Sequence, residues 1–238
     1  MAKASKKGKG RKGASARPEV AEMRQRFLQL YAAPLCDVLD RMDMPNQVLD
    51  LAIKPFLPDM KIAGPAYTLK SERAHPEETR GAKVDLVGGM TPGCVAVYSV
   101  GSEDRSGHWG ELTSNAAAAK GCCGAVVDGN IRDSTQHVQI PGWSCFSRGT
   151  SPIEFGSRGR ITVLQEPILM SGSLTTVVPV QPGDWVFGDS DGVVILPQEI
   201  ALDVLKQAEE QVAKERKSRA LLRKGEDLRT VKEKYRVG

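Results

Sequence analysis

The chain has 238 residues, 40% of them hydrophobic and 26% charged, enough to bury a sizeable core in one large domain. No apolar run approaches the ~18–20 residues that a membrane-spanning helix needs. No apolar segment follows the basic N-terminal residues as a secretory leader requires, so the expected setting is the cytoplasm. The net charge of +4 is unevenly placed, because Lys3, Lys6, Lys7, Lys9, Arg11, Lys12 and Arg17 all precede the first acidic residue, Glu19. The remainder is slightly acidic, which ties any nucleic-acid affinity to residues 1–17. That arm is rich in Lys, Gly and Ser, is expected to be solvated, and could tether the chain to RNA or another anionic surface. Residues 18–238 are expected to form one domain.

In chain order, Val20, Met23, Phe27, Leu28, Leu30 and Tyr31 recur near the helical repeat, which predicts a helix over residues 18–33. Pro34 is expected to open a second short helix, PLCDVLDRM, that ends at Pro45-Asn46. Short apolar runs bounded by Gly and Pro then predict strands: MKIAGPAYTLK, CVAVYSV after the Thr91-Pro92-Gly93 turn, GAVVDG, ITVLQ, TTVVPV and WVFGDSDGVVIL. Between the second and third lies LTSNAAAAKG, an alanine-rich helix closed by Gly121. A strand–helix–strand unit of this kind predicts parallel pairing, with the later strands partly antiparallel. A long amphipathic helix follows Pro197, buries Leu202, Leu205, Ala208 and Val212, and stops at Gly225. The class is mixed α/β. The five cysteines, Cys36, Cys94, Cys122, Cys123 and Cys145, contain no CxxC pair and are expected to be reduced thiols.

Several catalytic signatures are missing. No GxGxxG, GxxxxGK[ST] or GxSxG motif is present. The three histidines, His75, His108 and His137, have no i, i+4 partner among themselves, which argues against a histidine zinc site. The polar residues concentrate instead in GHWGELTSNAAAAKGCCGAVVDGNIRDSTQH. Glu111 opens the alanine-rich helix, where the free amides of Leu112 and Thr113 suit a carboxylate ligand. Asp128 through Asp133 lie at the end of the strand GAVVDG, the edge at which open α/β sheets bind ligands. Arg132 can grip a carboxylate in a bidentate fork, and Asp133 can hold a divalent cation. In sequence alone, an exposed ion pair in a turn would look the same.

Twenty residues separate Glu111 from Arg132, so the chain reads acid-X20-Arg-Asp. This resembles the D-X20-R-D signature of the 4-hydroxy-4-methyl-2-oxoglutarate/4-carboxy-4-hydroxy-2-oxoadipate aldolases, a family that includes the regulator of ribonuclease E activity A. The resemblance extends to PLCDVLDRM, KIAGPAYTL, PGCVAVYSV and VQPGDWVFGDSDGVVILP, and so runs from about Pro34 to Arg223. It implies an RraA-like αββα sandwich with a mixed sheet, assembled as a homotrimer or a dimer of trimers, whose C-terminal helix reaches a neighbouring subunit. It also implies Mg²⁺ or Mn²⁺ held by Asp133, with Glu111 binding a water of the metal in place of the family's aspartate. Arg132 would bind the 2-oxo acid, and the amides of Leu112 and Thr113 would cradle its carboxylate. A glutamate from a neighbour's C-terminal helix completes the family site; Glu215 is the choice here, with Glu209 and Glu210 as fallbacks. The chain departs from the family at Glu111, one methylene longer than aspartate, and at Gln136, where an acidic residue is common.

The implied reaction is a metal-dependent retro-aldol cleavage of a 4-hydroxy-4-methyl-2-oxoglutarate-like acid to pyruvate, with oxaloacetate decarboxylation as a side activity. Two rivals share the fold: a non-catalytic regulator of the ribonuclease E type, which the basic arm favours, and a lyase for a sugar-derived 2-oxo acid. Asp189 and Asp191 are read as a hairpin turn, His108 as an exposed loop residue, and Trp109 as packing or shaping the pocket. Ser144, Cys145 and Arg148 are given no role.

Overall fold

The computed structural model describes residues 19–79 and 84–235; the basic arm, residues 1–17, lies outside them. Helix α1 (Val20–Phe27) is shorter than its periodicity predicts. It closes in a tight turn, Leu30 N–H donating to Phe27 O, and α2 (Ala32–Arg41) begins two residues before Pro34. The reason is a long-range cap. Asp189, far along the chain, accepts the Ala32 amide at 2.8 Å and so sets where the helix starts. Pro34 is then the third helical residue, still in the turn whose N–H groups need no intrahelical acceptor.

After the short β1 (Lys54–Pro55) comes β2 (Ile62–Arg73), the longest strand. It is followed by α3 (Pro76–Thr79), β3 (Val95–Ser99), β4 (Gly107–Trp109) and α4 (Glu111–Ala119). Gly121 takes φ +85° just past α4, and Cys122 N–H bonds back to Ala117 O, the left-handed closure expected of a glycine there. The next elements are β5 (Gly124–Ile131), α5 (Ser134–His137), β6 (Ser144–Thr150), β7 (Gly159–Leu164), β8 (Ile168–Ser171), β9 (Val177–Val180), β10 (Trp185–Asp189) and β11 (Gly192–Leu196). The described residues close with α6 (Ala201–Leu222), then Gly225 at φ +89°, and α7 (Leu228–Tyr235). The last helix is unforeseen in the sequence, as are α3, α5, β1, β4 and β8.

The main sheet runs β1-β6-β5-β3-β2-β10-β11, with β4 on β5 and β7 on β2. Its centre is parallel: β2 with β3, β3 with β5, and β5 with β6. Its margins are antiparallel, including the β10–β11 hairpin that turns through Ser190 and Asp191. The nearly closed sheet wraps an interior of Ile62, Val95, Val97, Val126, Phe146 and Ile195, over which the β8–β9 hairpin packs Ile168, Met170 and Val178. One outer layer, α1, α2 and α6, covers Phe187 and Leu196 with Phe27, Leu35, Leu39 and Leu205. On the other side, Ala117 of α4 packs on Tyr98, Trp109, Val127 and Trp143. The expected mixed α/β sandwich is therefore present. Strands this thoroughly buried read as continuous apolar runs rather than alternating ones, which is why the sequence displays them so clearly.

All five cysteines are free, and among the described residues no helix is long and apolar enough to cross a membrane. Asp189 is 5% exposed; besides capping α2 it accepts the Asp191 amide at 2.9 Å, so it is a structural turn residue. Asp189→Ala strands two amides and should lower the unfolding free energy by about 2 kcal/mol. Urea titration would register this as a lower midpoint at unchanged slope, with a smaller loss for Asp189→Asn. A midpoint equal to wild type would contradict the capping role.

Candidate active site

Three segments that are separate in sequence meet at one edge of the sheet. Strand β5 continues to Ile131, two residues beyond the run GAVVDG, because it keeps partners on both sides: β4 on one and β6 on the other. Asp128 therefore lies within the strand. Its carboxylate accepts from Arg148 Nε at 2.7 Å and from the Ser171 amide at 2.7 Å, and Arg148 also reaches Asp50 at 3.1 Å. Asp128 and Arg148 thus tie β5 and β6 to the β8–β9 hairpin, a structural role that sequence reading left unassigned.

Beyond β5, Arg132 N–H donates to Trp109 O at 3.0 Å. Asp133 then takes the left-handed conformation, φ 58° and ψ 35°, which aspartate tolerates better than most residues. Its carboxylate turns back toward Arg132 Nε, 3.2 Å away, and accepts the Glu111 amide at 3.3 Å. Glu111, Arg132 and Asp133 are thereby brought together. Glu111 is the first residue of α4, whose N-cap Gly110 supplies no side-chain cap. The first-turn amides, including those of Leu112 and Thr113, have no intrahelical acceptor by construction and give this edge a partial positive charge. The Glu111 carboxylate bonds Asn115 Nδ2, one turn along α4. The Leu112 side chain is 81% exposed.

Two glycines make room for this corner. A Cβ on Gly107 would stand 2.7 Å from Arg132 Cβ and 2.8 Å from the Ser151 carbonyl, and one on Gly110 would stand 2.9 Å from Asp133 Oδ2. Among the described residues no three His, Cys, Asp or Glu side chains form a metal-holding group. The local donors are the carboxylates of Asp133 and Glu111. One or two carboxylates suit a hard dication that retains most of its waters, such as Mg²⁺ or Mn²⁺, and do not suit a protein-built calcium or zinc cage.

Other expected site residues fall elsewhere. Within the chain, Glu215 does not join the corner: its carboxylate bonds the Tyr31 hydroxyl, accepts from Gln211 at 3.1 Å and faces Arg219 at 3.8 Å. Glu209 is committed to a two-point pair with Arg26, at 2.8 and 2.7 Å, and Glu210 is exposed on α6. Gln136 is an exposed residue of α5.

His108 is not the exposed loop residue expected from sequence. It belongs to β4 and is 7% exposed; its ring lies 4.4 Å from that of Phe155, edge-on to Tyr98. Its Nε2 lies 2.6 Å from Glu103 O and 3.2 Å from the Glu103 carboxylate. Burial lowers its pKa against the opposing pull of Glu103. Trp109 is fully buried and stacks on Trp143, so it packs.

Sequence reasoning missed His137, which is wholly buried directly behind Arg132. Its Nε2 lies 2.9 Å from Arg132 O and its Nδ1 3.1 Å from Ser114 Oγ. Burial lowers its pKa, with the Arg132 carbonyl, Asp133 and Glu111 opposing. Its one sequence signal was position, four residues after Asp133.

The chain matches the RraA-like family, Aldolase/RraA, over residues 32–195. That span holds Glu111, Leu112, Thr113, Arg132 and Asp133 and stops short of Glu215. A protein of Halalkalibacterium halodurans named "Putative 4-hydroxy-4-methyl-2-oxoglutarate aldolase" is 29% identical over 190 residues, 78% of this chain and 82% of that protein. Protein DlpA of Legionella pneumophila is 26% identical over 89% of this chain, which spans only 33% of DlpA. Among solved structures, Streptomyces coelicolor RraAS2, described as an unusual member of the RNase ES inhibitor RraA family, superposes with a TM-score of 0.70. It is 25% identical, over 87% of this chain and 99% of that one.

The two glycines should respond differently to a methyl group. Gly107→Ala drives a Cβ into the Ser151 backbone and should cost about 1–3 kcal/mol, seen as a lowered Tm. Gly110→Ala meets only side-chain atoms of Arg132 and Asp133. It should keep its Tm and displace Asp133 from the Glu111 amide, a change that a crystal structure of the variant would resolve.

Proposed function

Because the chain belongs to the RraA-like family, Aldolase/RraA, we propose that it is a divalent-metal-dependent carbon–carbon lyase acting on small 2-oxo acids. The substrates would be of the 4-hydroxy-4-methyl-2-oxoglutarate class, with pyruvate as product and oxaloacetate decarboxylation as a side activity. The observation that carries this reading is the approach of Asp133 to the N-terminus of α4, 3.3 Å from the Glu111 amide, with the Arg132 guanidinium beside it. A carboxylate that can hold a hard cation, a fixed planar cation and free helix amides are the complementary partners of a 2-oxo carboxylate.

In this proposal Asp133 would hold Mg²⁺ or Mn²⁺, which would supply Lewis acidity toward the 2-oxo acid. The amides of Leu112 and Thr113 receive the substrate carboxylate, and Arg132 binds the 2-oxo group. Glu111 orients a water that removes the proton of the distal hydroxyl. As that oxygen becomes a carbonyl, the adjacent C–C bond breaks and its electron pair passes into the enolate of pyruvate. Arg132 faces the developing negative charge, and return of the proton taken up by that water to the enolate carbon completes pyruvate. Loss of CO₂ from oxaloacetate would use the same electron sink. Glu215, which among the described residues bonds Tyr31 and Gln211 and faces Arg219, would act in the site of an adjoining copy in a trimer or hexamer.

The regulator reading keeps two points of support, the basic residues before Glu19 and the fold shared with RraAS2 at a TM-score of 0.70. A regulator has no need of the Glu111–Arg132–Asp133 set.

With Mg²⁺ or Mn²⁺, pyruvate should be released from 4-hydroxy-4-methyl-2-oxoglutarate and oxaloacetate, and EDTA should stop it. Asp133→Ala should remove activity altogether, and Arg132→Lys should reduce kcat by about 10²–10³-fold, the usual scale for losing a charge-stabilising donor. Folded, metal-supplied protein that turns over neither acid would sink the aldolase assignment.

A further inference from the structure

Behind the candidate site runs a buried file of side chains that none of the roles above uses. Trp109 Nε1 lies 2.8 Å from Ser114 Oγ, Ser114 Oγ lies 3.1 Å from His137 Nδ1, and His137 Nε2 lies 2.9 Å from Arg132 O. Ser114 and His137 are both 0% exposed. The chemistry of each group dictates the direction of the bonds. An indole N–H can only donate, so Ser114 Oγ accepts from Trp109. A carbonyl oxygen can only accept, so the hydrogen of His137 is on Nε2. In the neutral imidazole Nδ1 is then an acceptor, and the Ser114 hydroxyl is the donor facing it. The same oxygen lies 3.2 Å from Gly110 O, but its one hydrogen goes to His137, so the file joins α4 through Ser114 itself, a residue of that helix.

The end of the file sits where leverage is greatest. The Arg132 carbonyl belongs to the peptide that joins Arg132 to Asp133, so a bond from His137 fixes the orientation of that peptide plane. The next residue, Asp133, is left-handed at φ 58°, a conformation that is unfavourable for a non-glycine residue and persists only where its surroundings hold it. The other end of the file holds α4 at the turn that carries Glu111, Leu112 and Thr113. Bonds polarised in one direction along a buried file reinforce one another.

We infer that His137, relayed through Ser114 from Trp109, is a positioning residue that locks the Arg132–Asp133 turn in register with the N-terminus of α4. What it positions rests on the lyase reading; that it positions this turn does not. The inference is therefore testable even if that reading fails.

The test compares His137→Leu, which keeps bulk and removes both nitrogens, with His137→Gln, which returns an N–H near the place of Nε2. Amide hydrogen exchange, Mn²⁺ binding by electron paramagnetic resonance, and kcat and KM for 4-hydroxy-4-methyl-2-oxoglutarate are measured on each full-length variant. With Tm close to wild type, the Leu variant should exchange the hydrogen-bonded amides of Glu111, Ser114, Arg132 and Gln136 about tenfold faster. It should bind Mn²⁺ about 10–100-fold more weakly, the range typical of losing a group that orients a ligand, and lose kcat far more than KM. The Gln variant should recover most of each loss. If the Leu variant is poorly folded, Ser114→Ala breaks the file one bond earlier and should raise exchange at the same amides.

Wild-type exchange in folded His137→Leu, or a Gln variant no better than Leu, would overturn the inference. Faster exchange with rescue by Gln, in a protein that binds no Mn²⁺ and cleaves no 2-oxo acid, would uphold the positioning role and overturn the lyase reading alone.

Discussion

The parallel pairing of β3 with β5 is the constraint from which the rest of this structure follows. Two parallel neighbours need a return connection, and α4 is the helical part of it here. A helix that returns the chain begins at the edge where the first strand ends, and the second strand finishes at that same edge. The start of α4 and the end of β5 therefore meet, which brings Glu111 within reach of Arg132 and Asp133 despite the twenty residues between them. Free helix amides and residues beyond a strand's C-terminal end are the usual components of ligand sites in sheets of this kind.

The meeting is held by close packing at one point and by polar bonds at others. Gly107 lets β4 lie against the stem of Arg132 at a distance no Cβ would permit, and Gly110 leaves room for the Asp133 carboxylate. Arg148 joins Asp128 on β5 to Asp50, and Asp189 joins the β10–β11 hairpin to the first turn of α2. Each of these is a buried or half-buried carboxylate satisfied by amides or a guanidinium. Such groups add directional constraint that apolar packing lacks, because leaving one of them unpaired is costly. Asp133 differs: its carboxylate is 38% exposed, and its backbone is held in the left-handed region. An exposed carboxylate on a constrained backbone suits a group meant to meet a ligand rather than to hold the fold.

Much of this was legible in the residues. The apolar runs after Gly64-Pro65 and Thr91-Pro92-Gly93 became β2 and β3, the alanine-rich run became α4, and Gly121 closed it. The acid-X20-Arg-Asp spacing marked the corner itself. What was not legible depended on distant partners. His108 looked like a loop residue because its strand, β4, is only three residues long and exists through pairing with β5. The start of α2 was misplaced because its cap comes from Asp189. Arg148 carried no local pattern, and His137 only its place four residues after Asp133: the first acts through Asp128 and Asp50, the second through a backbone carbonyl.

The sequence by itself determined which segments could be buried strands, which could be amphipathic or alanine-rich helices, and which residue types could meet an anionic substrate and a hard cation. These are properties of side-chain chemistry and short-range periodicity, written within a few residues of one another. Tertiary structure alone decided the order of the strands, the reach of β5 beyond GAVVDG, the burial of His108 and His137, and the turn of the Glu215 carboxylate toward Tyr31. The physical reason is that each of these depends on contacts between residues far apart in the chain. Their free energy comes from packing and hydrogen bonds that exist only after the intervening loops have closed.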